Sequence, residues 1–149
     1  MASVLIIGAG PAGLAAAAAL RNEDIDFDLI DRDGQPGGAY TRMPEQLMLA
    51  SPARHINLPG FPLEAFGEFV SARDYLSYLK DYARHFGIEP TRGDVTGFAR
   101  DKGGFRVACA DEGMAEQHYR TVVVATGCFG QPRWPEIDGL PEPGEAVLH

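Results

Sequence analysis

Residues 4–20 read VLIIGAGPAGLAAAAAL, a short apolar strand followed at once by a glycine-rich turn and a helix of small residues. The turn has the spacing G-x-G-x-x-G at Gly8, Gly10 and Gly13, and the helix is predicted to begin near Gly13. Gly8 permits the tight turn, Gly10 lets the backbone approach a pyrophosphate, and Gly13 lets the helix pack closely on the sheet. This combination predicts the β-α-β unit of a dinucleotide-binding protein.

The turn also predicts an anion site made from the backbone. The first N–H groups of a helix have no intrahelical acceptor, and they carry the positive end of the helix dipole. Pro11 and Ala12 lie between Gly10 and Gly13, so we expect these four residues and Gly8 to surround the phosphates. Because backbone dipoles bind phosphate without lysine side chains, an acidic chain can still bind a dinucleotide.

An acidic residue follows the turn at the distance expected for a ribose ligand. Asp31 ends a second apolar run, residues 27–30, and lies 18 residues after Gly13. A spacing of about 20 residues is typical of the carboxylate that accepts hydrogen bonds from an adenosine ribose. Because a carboxylate repels a 2′-phosphate, the site favours a dinucleotide with an unmodified adenosine over NADP. The alternative is an ordinary α/β turn with a solvated Asp31.

Composition restricts the class of protein. The chain has 149 residues, about one domain, with the hydrophobic and charged content of an ordinary globular protein. Its net charge of −8 and the lack of a basic patch argue against nucleic-acid binding. No stretch approaches the ~20 apolar residues of a membrane span, and the N-terminus lacks the basic region of a signal peptide. We therefore expect no membrane partner and a cytoplasmic location.

The cysteines and histidines give no indication of a disulfide or metal site. Cys109 and Cys128 lie in or beside predicted strands and form no C-x-x-C pair, so we expect two buried thiols. A redox dithiol or a structural disulfide is the alternative. The four histidines are dispersed without metal-ligand spacing, so we predict no metal site.

The rest of the chain divides into a long connection, a helix and a set of strands. Residues 32–70 are rich in glycine and proline and show little periodicity, which is typical of a functional loop. A helix is predicted between Ser71 and Gly87, and its core stripe consists of Tyr75, Leu79, Tyr82 and Phe86. Residues 94–98 and 105–109 are predicted to form a hairpin around a turn at 101–104. Residues 121–125 are predicted to form a central parallel strand. The predicted fold class is α/β, a parallel sheet with an inserted antiparallel hairpin or meander.

Four segments together resemble the FAD-binding half of a flavoprotein family. They are the glycine pattern with Asp31-Arg32, the loop Gly37-Gly38-Ala39-Tyr40, the segment from Ser51-Pro52 to residues 58–62, and residues 122–127 with Pro132 and Pro135. Their order is similar to that in flavin-containing monooxygenases and related NAD(P)/FAD-dependent oxidoreductases, and it covers nearly the whole chain. The resemblance implies a Rossmann-like FAD-binding domain at residues 1–130 and a proline-rich linker at 131–149.

For the adenosine half of the cofactor, the resemblance implies backbone and carboxylate contacts. It places the FAD pyrophosphate at the Gly8–Gly13 turn and the ribose at Asp31, with Arg32 beside it. Val95 would offer backbone contacts to adenine. These assignments agree with the dinucleotide site that the glycine spacing alone predicts.

For the flavin half, the resemblance implies that Gly38 and Tyr40 lie along the ribityl chain or the flavin. Ala125, Thr126 and Gly127 would pass close to the cofactor. In such an enzyme NAD(P)H transfers a hydride to FAD, and the protein supplies binding, orientation and exclusion of water. We therefore assign no catalytic side chain.

The chain lacks the second glycine-rich fingerprint that holds NAD(P)H in this family, and it has no room for another nucleotide domain of about 100 residues or more. We therefore expect a truncated or split FAD-dependent oxidoreductase, monooxygenase-like, that self-associates or pairs with a separate NAD(P)H-binding subunit. The alternatives are a relative of the pyridine-nucleotide disulfide reductases, an NAD-only dehydrogenase domain, and a non-catalytic FAD- or nucleotide-binding module.

Overall fold

The computed structural model describes residues 3–64, 67–110 and 116–128, and these residues form two β-sheets and two α-helices. In chain order the elements are β1 (Val4–Ile7), α1 (Pro11–Asn22), β2 (Phe27–Asp31), α2 (Ala72–His85), β3 (Thr91–Arg92), β4 (Val95–Asp101), β5 (Gly104–Cys109), β6 (Gln117–Tyr119) and β7 (Thr121–Val124). The predicted α/β class is confirmed. The predicted domain boundary at residue 130 and the linker at 131–149 lie outside the described residues and stay predictions.

Four strands form a parallel sheet in the order β3-β2-β1-β7. The register places Ile7 beside Ile30 on β2 and beside Val124 on β7, so the three strands end at one edge, as predicted. The prediction that residues 121–125 form a central strand is wrong for the described part of the chain, where β7 is the edge strand and Val124 is 56% exposed. An apolar run indicates that side chains can pack on both faces of a sheet, but it carries no information about a further neighbouring strand.

Both faces of the parallel sheet are covered, which gives the molecule three layers. Ile6 and Leu29 pack in one core cluster with the apolar faces of α1 and α2. Leu5 and Ile7 point to the opposite face, where they pack against Tyr119 and other residues of the antiparallel strands. Successive residues of a strand point to opposite faces, so the unbroken apolar sequence of β1 follows from burial on both sides.

Helix α1 begins at Pro11, two residues before the predicted start at Gly13. Proline suits the first helical position because its φ is already helical and its missing N–H has no partner to lose there. Leu14, Ala17 and Ala18 bury one face of the helix on the sheet. A Cβ on Gly13 would lie 1.8 Å from the carbonyl oxygen of Gly8, so glycine is needed for this close helix–sheet contact, as predicted.

Helix α2 has the ends that its capping residues predict. The N–H of Asp74 donates to Ser71 Oγ over 3.1 Å, and Gly87 follows the last turn with a φ of +60°. Tyr75 and Tyr82 of the predicted stripe are buried, and so is Tyr78.

The hydroxyls of these three tyrosines extend past the core to the preceding loop. Those of Tyr75, Tyr78 and Tyr82 donate to backbone carbonyls within residues 56–61 at distances of 2.7–3.1 Å. Helix α2 therefore holds part of the long connection between β2 and α2 in a defined position, even though that connection contains little regular structure of its own.

The predicted hairpin is part of a three-stranded antiparallel meander, β4-β5-β6. Its turn falls within the predicted residues 101–104, where Gly103 has a φ of +89°. Among the described residues no helix is long and apolar enough to cross a membrane, and no cluster of three or more His, Cys, Asp or Glu side chains is placed to hold a metal ion.

Neither predicted thiol forms a disulfide in the described part of the chain. Cys109 is half-buried on β5, whereas Cys128 is exposed, so the prediction of two buried thiols is wrong for Cys128. Cys128 lies beyond the end of β7 and follows Gly127, whose φ is +73°. The residue is therefore outside the strand whose apolar sequence suggested burial.

Candidate functional site

Three strand ends meet at the carboxyl edge of the parallel sheet. Gly8 follows β1 directly, donates its N–H to the Ile30 carbonyl over 2.8 Å and has a φ of +101°. A Cβ at Gly8 would lie 2.5 Å from the carbonyl oxygen of Ala125, the residue after β7. Glycine is therefore required at this position by the backbone conformation and by the neighbouring strand end.

Gly10 is under neither of these constraints. Its φ of −75° and ψ of −175° are values that any residue adopts. A Cβ on Gly10 would have the Cα of Gly38 as its nearest described neighbour, at 3.9 Å, which is an ordinary van der Waals contact. The described part of the protein therefore gives no reason for glycine here. Unhindered approach of a ligand to the backbone gives one.

The N-terminus of α1 beside Gly10 is not capped by a side chain. Gly10 is the N-cap residue and makes no side-chain cap hydrogen bond, and the first turn contains no acidic residue. The amides of Ala12 and Gly13 belong to this turn, whose N–H groups have no intrahelical acceptor. Ala12 is exposed and Pro11 is half-buried. The arrangement leaves a positive helix end open to an anion.

Asp31 lies against the glycine-rich turn, as its spacing predicts, but its carboxylate has partners within the protein. Oδ2 accepts a hydrogen bond from the N–H of Ala9 over 2.7 Å, and Oδ1 accepts one from the N–H of Asp33 over 2.9 Å. The backbone carbonyl of Asp31 also accepts hydrogen bonds from Gly34 and Gly93, each at 3.0 Å. Asp31 is only 9% exposed, so the alternative of a solvated Asp31 is wrong.

Arg32 and Val95 lie beside Asp31 rather than at the turn. The guanidinium Nε of Arg32 is 3.4 Å from Asp94 Oδ1, and the Arg32 side chain is largely exposed. This ion pair connects the end of β2 with the start of β4, where Val95 is half-buried. Val95 thus begins a strand close to the predicted ribose position, and its contact with adenine stays a prediction.

The Gly37-Gly38 turn packs directly on the glycine-rich turn. Gly37 donates its N–H to the carbonyl of Ala9 over 2.9 Å, and a Cβ on Gly38 would lie 2.9 Å from the Cα of Gly10. A short 3₁₀ helix, Gly38–Thr41, then carries Tyr40.

The ring of Tyr40 is half-buried next to helix α2. It meets Tyr75 edge-on, with ring centroids 4.9 Å apart. Burial raises the pKa of Tyr40, so its hydroxyl remains a hydrogen-bond donor at neutral pH.

Thr126 and Gly127 are exposed just beyond β7, and no described atom lies within 4 Å of a Cβ placed on Gly127.

The structure therefore brings Gly8, Gly10, Gly13, Asp31 and Gly38 together at one edge of the sheet. Ala125 contacts this group through Gly8, and Tyr40 follows Gly38 in the next turn. Arg32, Val95, Thr126 and Gly127 lie around its margins.

Sequence reasoning missed a polar network that supports this site. The carboxylate of Asp33 accepts hydrogen bonds from Thr41 Oγ1 at 3.2 Å and from Arg42 Nη1 at 2.7 Å. Together with the bond from Asp33 N–H to Asp31, it ties the Gly38–Thr41 helix to the end of β2. Residue spacing gives no signal for such contacts, because they depend on the path of a loop without periodicity.

The parallel sheet, the uncapped glycine-rich turn and the carboxylate at the end of β2 define a Rossmann-like dinucleotide-binding fold. A protein family described as pyridine nucleotide-disulphide oxidoreductase matches residues 5–147. The chain belongs to this family.

Proteins similar to this chain include flavin monooxygenases. It is 34% identical over 155 residues to the probable indole-3-pyruvate monooxygenase YUCCA8 of Arabidopsis thaliana, an alignment that covers 97% of this chain and 36% of the relative. A mutant of the flavin monooxygenase from Stenotrophomonas maltophilia superposes with a TM-score of 0.82 at 30% identity, covering 93% of this chain and 42% of that one. The predicted resemblance to FAD-dependent, monooxygenase-like oxidoreductases is confirmed, with FAD and NAD(P)H as the cofactors of the family.

A second similar structure bears on the fold alone. The bacillithiol disulfide reductase of Staphylococcus aureus superposes with a TM-score of 0.83 at 21% identity, covering 95% of this chain and 43% of that chain. Monooxygenases and a disulfide reductase thus share this arrangement of sheets. The chain spans about a third of the length of the curated relatives it matches, with 36% of the YUCCA8 protein covered.

Proposed function

We propose that this chain is the FAD-binding part of an FAD-dependent oxidoreductase of the monooxygenase type, in which NAD(P)H reduces the flavin. The observation that carries the proposal is the open position beside Gly10 at the uncapped N-terminus of α1. Gly10 has an ordinary backbone conformation and no close neighbour, so a ligand explains the glycine better than packing does. The similarity to the probable monooxygenase of Arabidopsis and the flavin monooxygenase of Stenotrophomonas supports the monooxygenase type.

In this proposal the pyrophosphate of FAD lies against the turn between β1 and α1. The N–H groups of Ala12 and Gly13 donate to its oxygens, and the helix dipole stabilises its charge. Gly10 keeps the approach free of side-chain atoms. Since these donors are fixed by the helix itself, binding requires little reorganisation of the turn.

The adenosine half of FAD would lie over the end of β2. A carboxylate has about four lone-pair sites, and Asp31 uses one oxygen for Ala9 and the other for Asp33. The remaining capacity is available to ribose hydroxyls. Val95, at the start of β4, would offer its backbone to adenine, and Arg32 would flank the ribose while paired with Asp94.

The flavin half would extend toward Gly38, Tyr40 and the end of β7. When bound, FAD supplies the hydride-accepting and oxygen-reacting ring system. Tyr40 is supported by Tyr75 and keeps its proton, so it can donate a hydrogen bond to the cofactor. Thr126 and Gly127 line the other side, and no side chain is given an acid or base role.

Reconstitution with FAD tests the cofactor assignment. The purified chain should bind FAD and show the visible absorption of oxidised flavin. Gly10→Val should abolish this absorption, because the new side chain fills the space beside the turn. Gly97→Val is the matched control, since a Cβ on Gly97 likewise makes no contact closer than van der Waals distance, with no described neighbour within 4 Å, but Gly97 lies on the distant meander. Equal FAD binding by both variants would contradict the proposal.

Anaerobic titration of the reconstituted protein with NADPH or NADH separates the candidate functions. Bleaching of the flavin, followed by oxygenation of an added substrate once dioxygen is admitted, supports the monooxygenase type. Bleaching that only added NAD(P)H-binding subunit produces supports a split enzyme. Bound flavin that no reductant bleaches supports the non-catalytic module. The proposed partners, a second copy of the chain or a separate NAD(P)H-binding subunit, and the predicted cytoplasmic location stay predictions.

A further inference from the structure

We propose that Asp31 is a positioning residue whose carboxylate holds the glycine-rich turn in its phosphate-binding shape, separately from any contact with ribose. The proposal rests on the proposed function for the identity of the ligand. Its basis is that the carboxylate is nine-tenths buried and that each of its oxygens already accepts a backbone N–H.

The first of these hydrogen bonds fixes the middle of the turn. Ala9 lies between Gly8 and Gly10, is 0% exposed, and donates its N–H to Asp31 Oδ2 over 2.7 Å. Its carbonyl accepts the N–H of Gly37 over 2.9 Å. The peptide groups around Ala9 are therefore held from two sides, by the end of β2 and by the next glycine turn.

The second hydrogen bond extends this support to the flavin side. Asp31 Oδ1 accepts the N–H of Asp33, and the Asp33 carboxylate accepts hydrogen bonds from Thr41 and Arg42. A continuous series of contacts thus runs from Ala9 to the 3₁₀ helix that carries Tyr40. Within this series the Asp31 side chain contacts the glycine-rich turn through Ala9 and is linked to the 3₁₀ helix through Asp33.

Loss of the Oδ2 acceptor leaves the N–H of Ala9 without a partner in a place that water does not reach, and loss of Oδ1 removes the partner of the half-buried N–H of Asp33. Ala9 is fully buried, so its N–H has no solvent to replace Asp31 Oδ2. Asparagine has nearly the same shape as aspartate, but its NH₂ group cannot accept a hydrogen bond. In Asp31→Asn one of the two backbone N–H groups therefore faces another donor, which breaks the link between the glycine-rich turn and Asp33 at Ala9 or at Asp33.

Affinity measurements on two proteins with two ligands separate the positioning role of Asp31 from a role in binding the ribose. The dissociation constants of wild type and Asp31→Asn are measured for FAD and for an FAD analogue whose adenosine lacks both the 2′- and the 3′-hydroxyl. If Asp31 positions the turn, the variant loses about 5- to 150-fold in affinity for FAD and the same factor for the analogue. If Asp31 acts only through the ribose, the loss occurs with FAD and disappears with the analogue, which overturns the proposal.

Asp28→Asn is the matched control. Asp28 lies on the same strand and accepts a hydrogen bond from the hydroxyl of Tyr119 on the meander face, 2.9 Å away. Its replacement should leave the affinity for both ligands unchanged. If Asp28→Asn weakens FAD binding as much as Asp31→Asn does, the effect belongs to β2 in general and the positioning role fails.

Hydrogen exchange of the ligand-free wild type keeps the proposal testable if Asp31→Asn does not fold. The N–H of Ala9 should exchange at a rate close to that of the buried strand amides, because the contact with Asp31 exists before a ligand binds. Exchange of Ala9 as fast as that of exposed loop amides would overturn the proposal. Because this measurement needs no cofactor, a failure of wild type to bind FAD counts against the proposed function and leaves the test of Asp31 intact.

Discussion

The carboxyl edge of the parallel sheet and the antiparallel meander are both rich in glycine, but the glycines are under different constraints. At the edge, a Cβ on Gly8, Gly13 or Gly38 would come within 3 Å of a backbone atom. In the meander, Gly97 and Gly103 have no described atom within 4 Å of an added Cβ, whereas a Cβ on Gly104, at the start of β5, would lie 2.3 Å from the carbonyl oxygen of Tyr119 on β6.

The edge is built from backbone packed on backbone, whereas in the described meander the tight glycine contact, at Gly104, lies between neighbouring strands of one sheet. Three segments distant in sequence approach each other there without side chains between them. The meander follows local turn geometry and leaves most of β4 half-buried or exposed. A site made of backbone groups needs the first kind of construction, and we expect the two regions to respond differently to substitution.

The largest difference is expected from adding a single methyl group. Gly13→Ala places a Cβ 1.8 Å from the Gly8 carbonyl oxygen, and relief requires the helix to move away from the sheet. We expect the free energy of unfolding to fall by about 3 kcal/mol or more, as for severe overpacking. Urea unfolding measures this loss. Gly97→Ala should change the value by less than about 0.5 kcal/mol, and equal effects at the two positions would remove the distinction between the regions.

A smaller effect is expected from the tyrosines of α2 at alkaline pH. Burial raises the pKa of Tyr75, so the folded protein keeps this proton when the unfolded chain has lost it. Stability from this group is complete below the ordinary tyrosine pKa of about 10 and is lost as pH rises toward the folded pKa.

Tyr75→Phe should therefore make the free energy of unfolding less dependent on pH above about 10. At neutral pH the variant should cost about 0.5–1.5 kcal/mol, because the hydrogen bond to the Ile56 carbonyl is lost. Denaturant unfolding at a series of pH values measures both quantities. Parallel pH profiles for wild type and variant would show that Tyr75 titrates alike in the folded and unfolded states.

The smallest effect is expected where the two regions meet. The ion pair between Arg32 and Asp94 joins the end of β2 to the meander, but both side chains are substantially exposed. Arg32→Met should change the free energy of unfolding by less than about 0.5 kcal/mol, since solvent screens such pairs. Thermal or urea unfolding at low and high salt measures it. A loss well above this value would show that the regions are energetically coupled through Arg32.

Much of the site follows from sequence because its parts are set by short-range rules. The glycine spacing predicts the turn, the position of Asp31 after an apolar run predicts a carboxylate at the same sheet edge, and Ser71 and Gly87 predict the ends of α2. Each of these depends on neighbours within a few residues or on the rule that parallel strands end together.

The features that the sequence does not predict depend on contacts between distant atoms. Spacing brings Asp31 to the turn, but it does not say that the carboxylate accepts the N–H of Ala9. The apolar run of β7 does not reveal that Val124 is exposed at a sheet edge. Likewise, the exposure of Cys128 is set by where the strand ends rather than by the residues around it.

The contact between Gly8 and Ala125 has a consequence for protein engineering. Because the carbonyl oxygen of Ala125 would be 2.5 Å from any Cβ at position 8, the turn and the end of β7 form one fitted unit, although more than a hundred residues of chain separate them. A graft of residues 4–20 into a foreign scaffold should therefore include β7 and Ala125. Otherwise the recipient must supply a strand end whose carbonyl lies equally close to position 8, where only glycine fits.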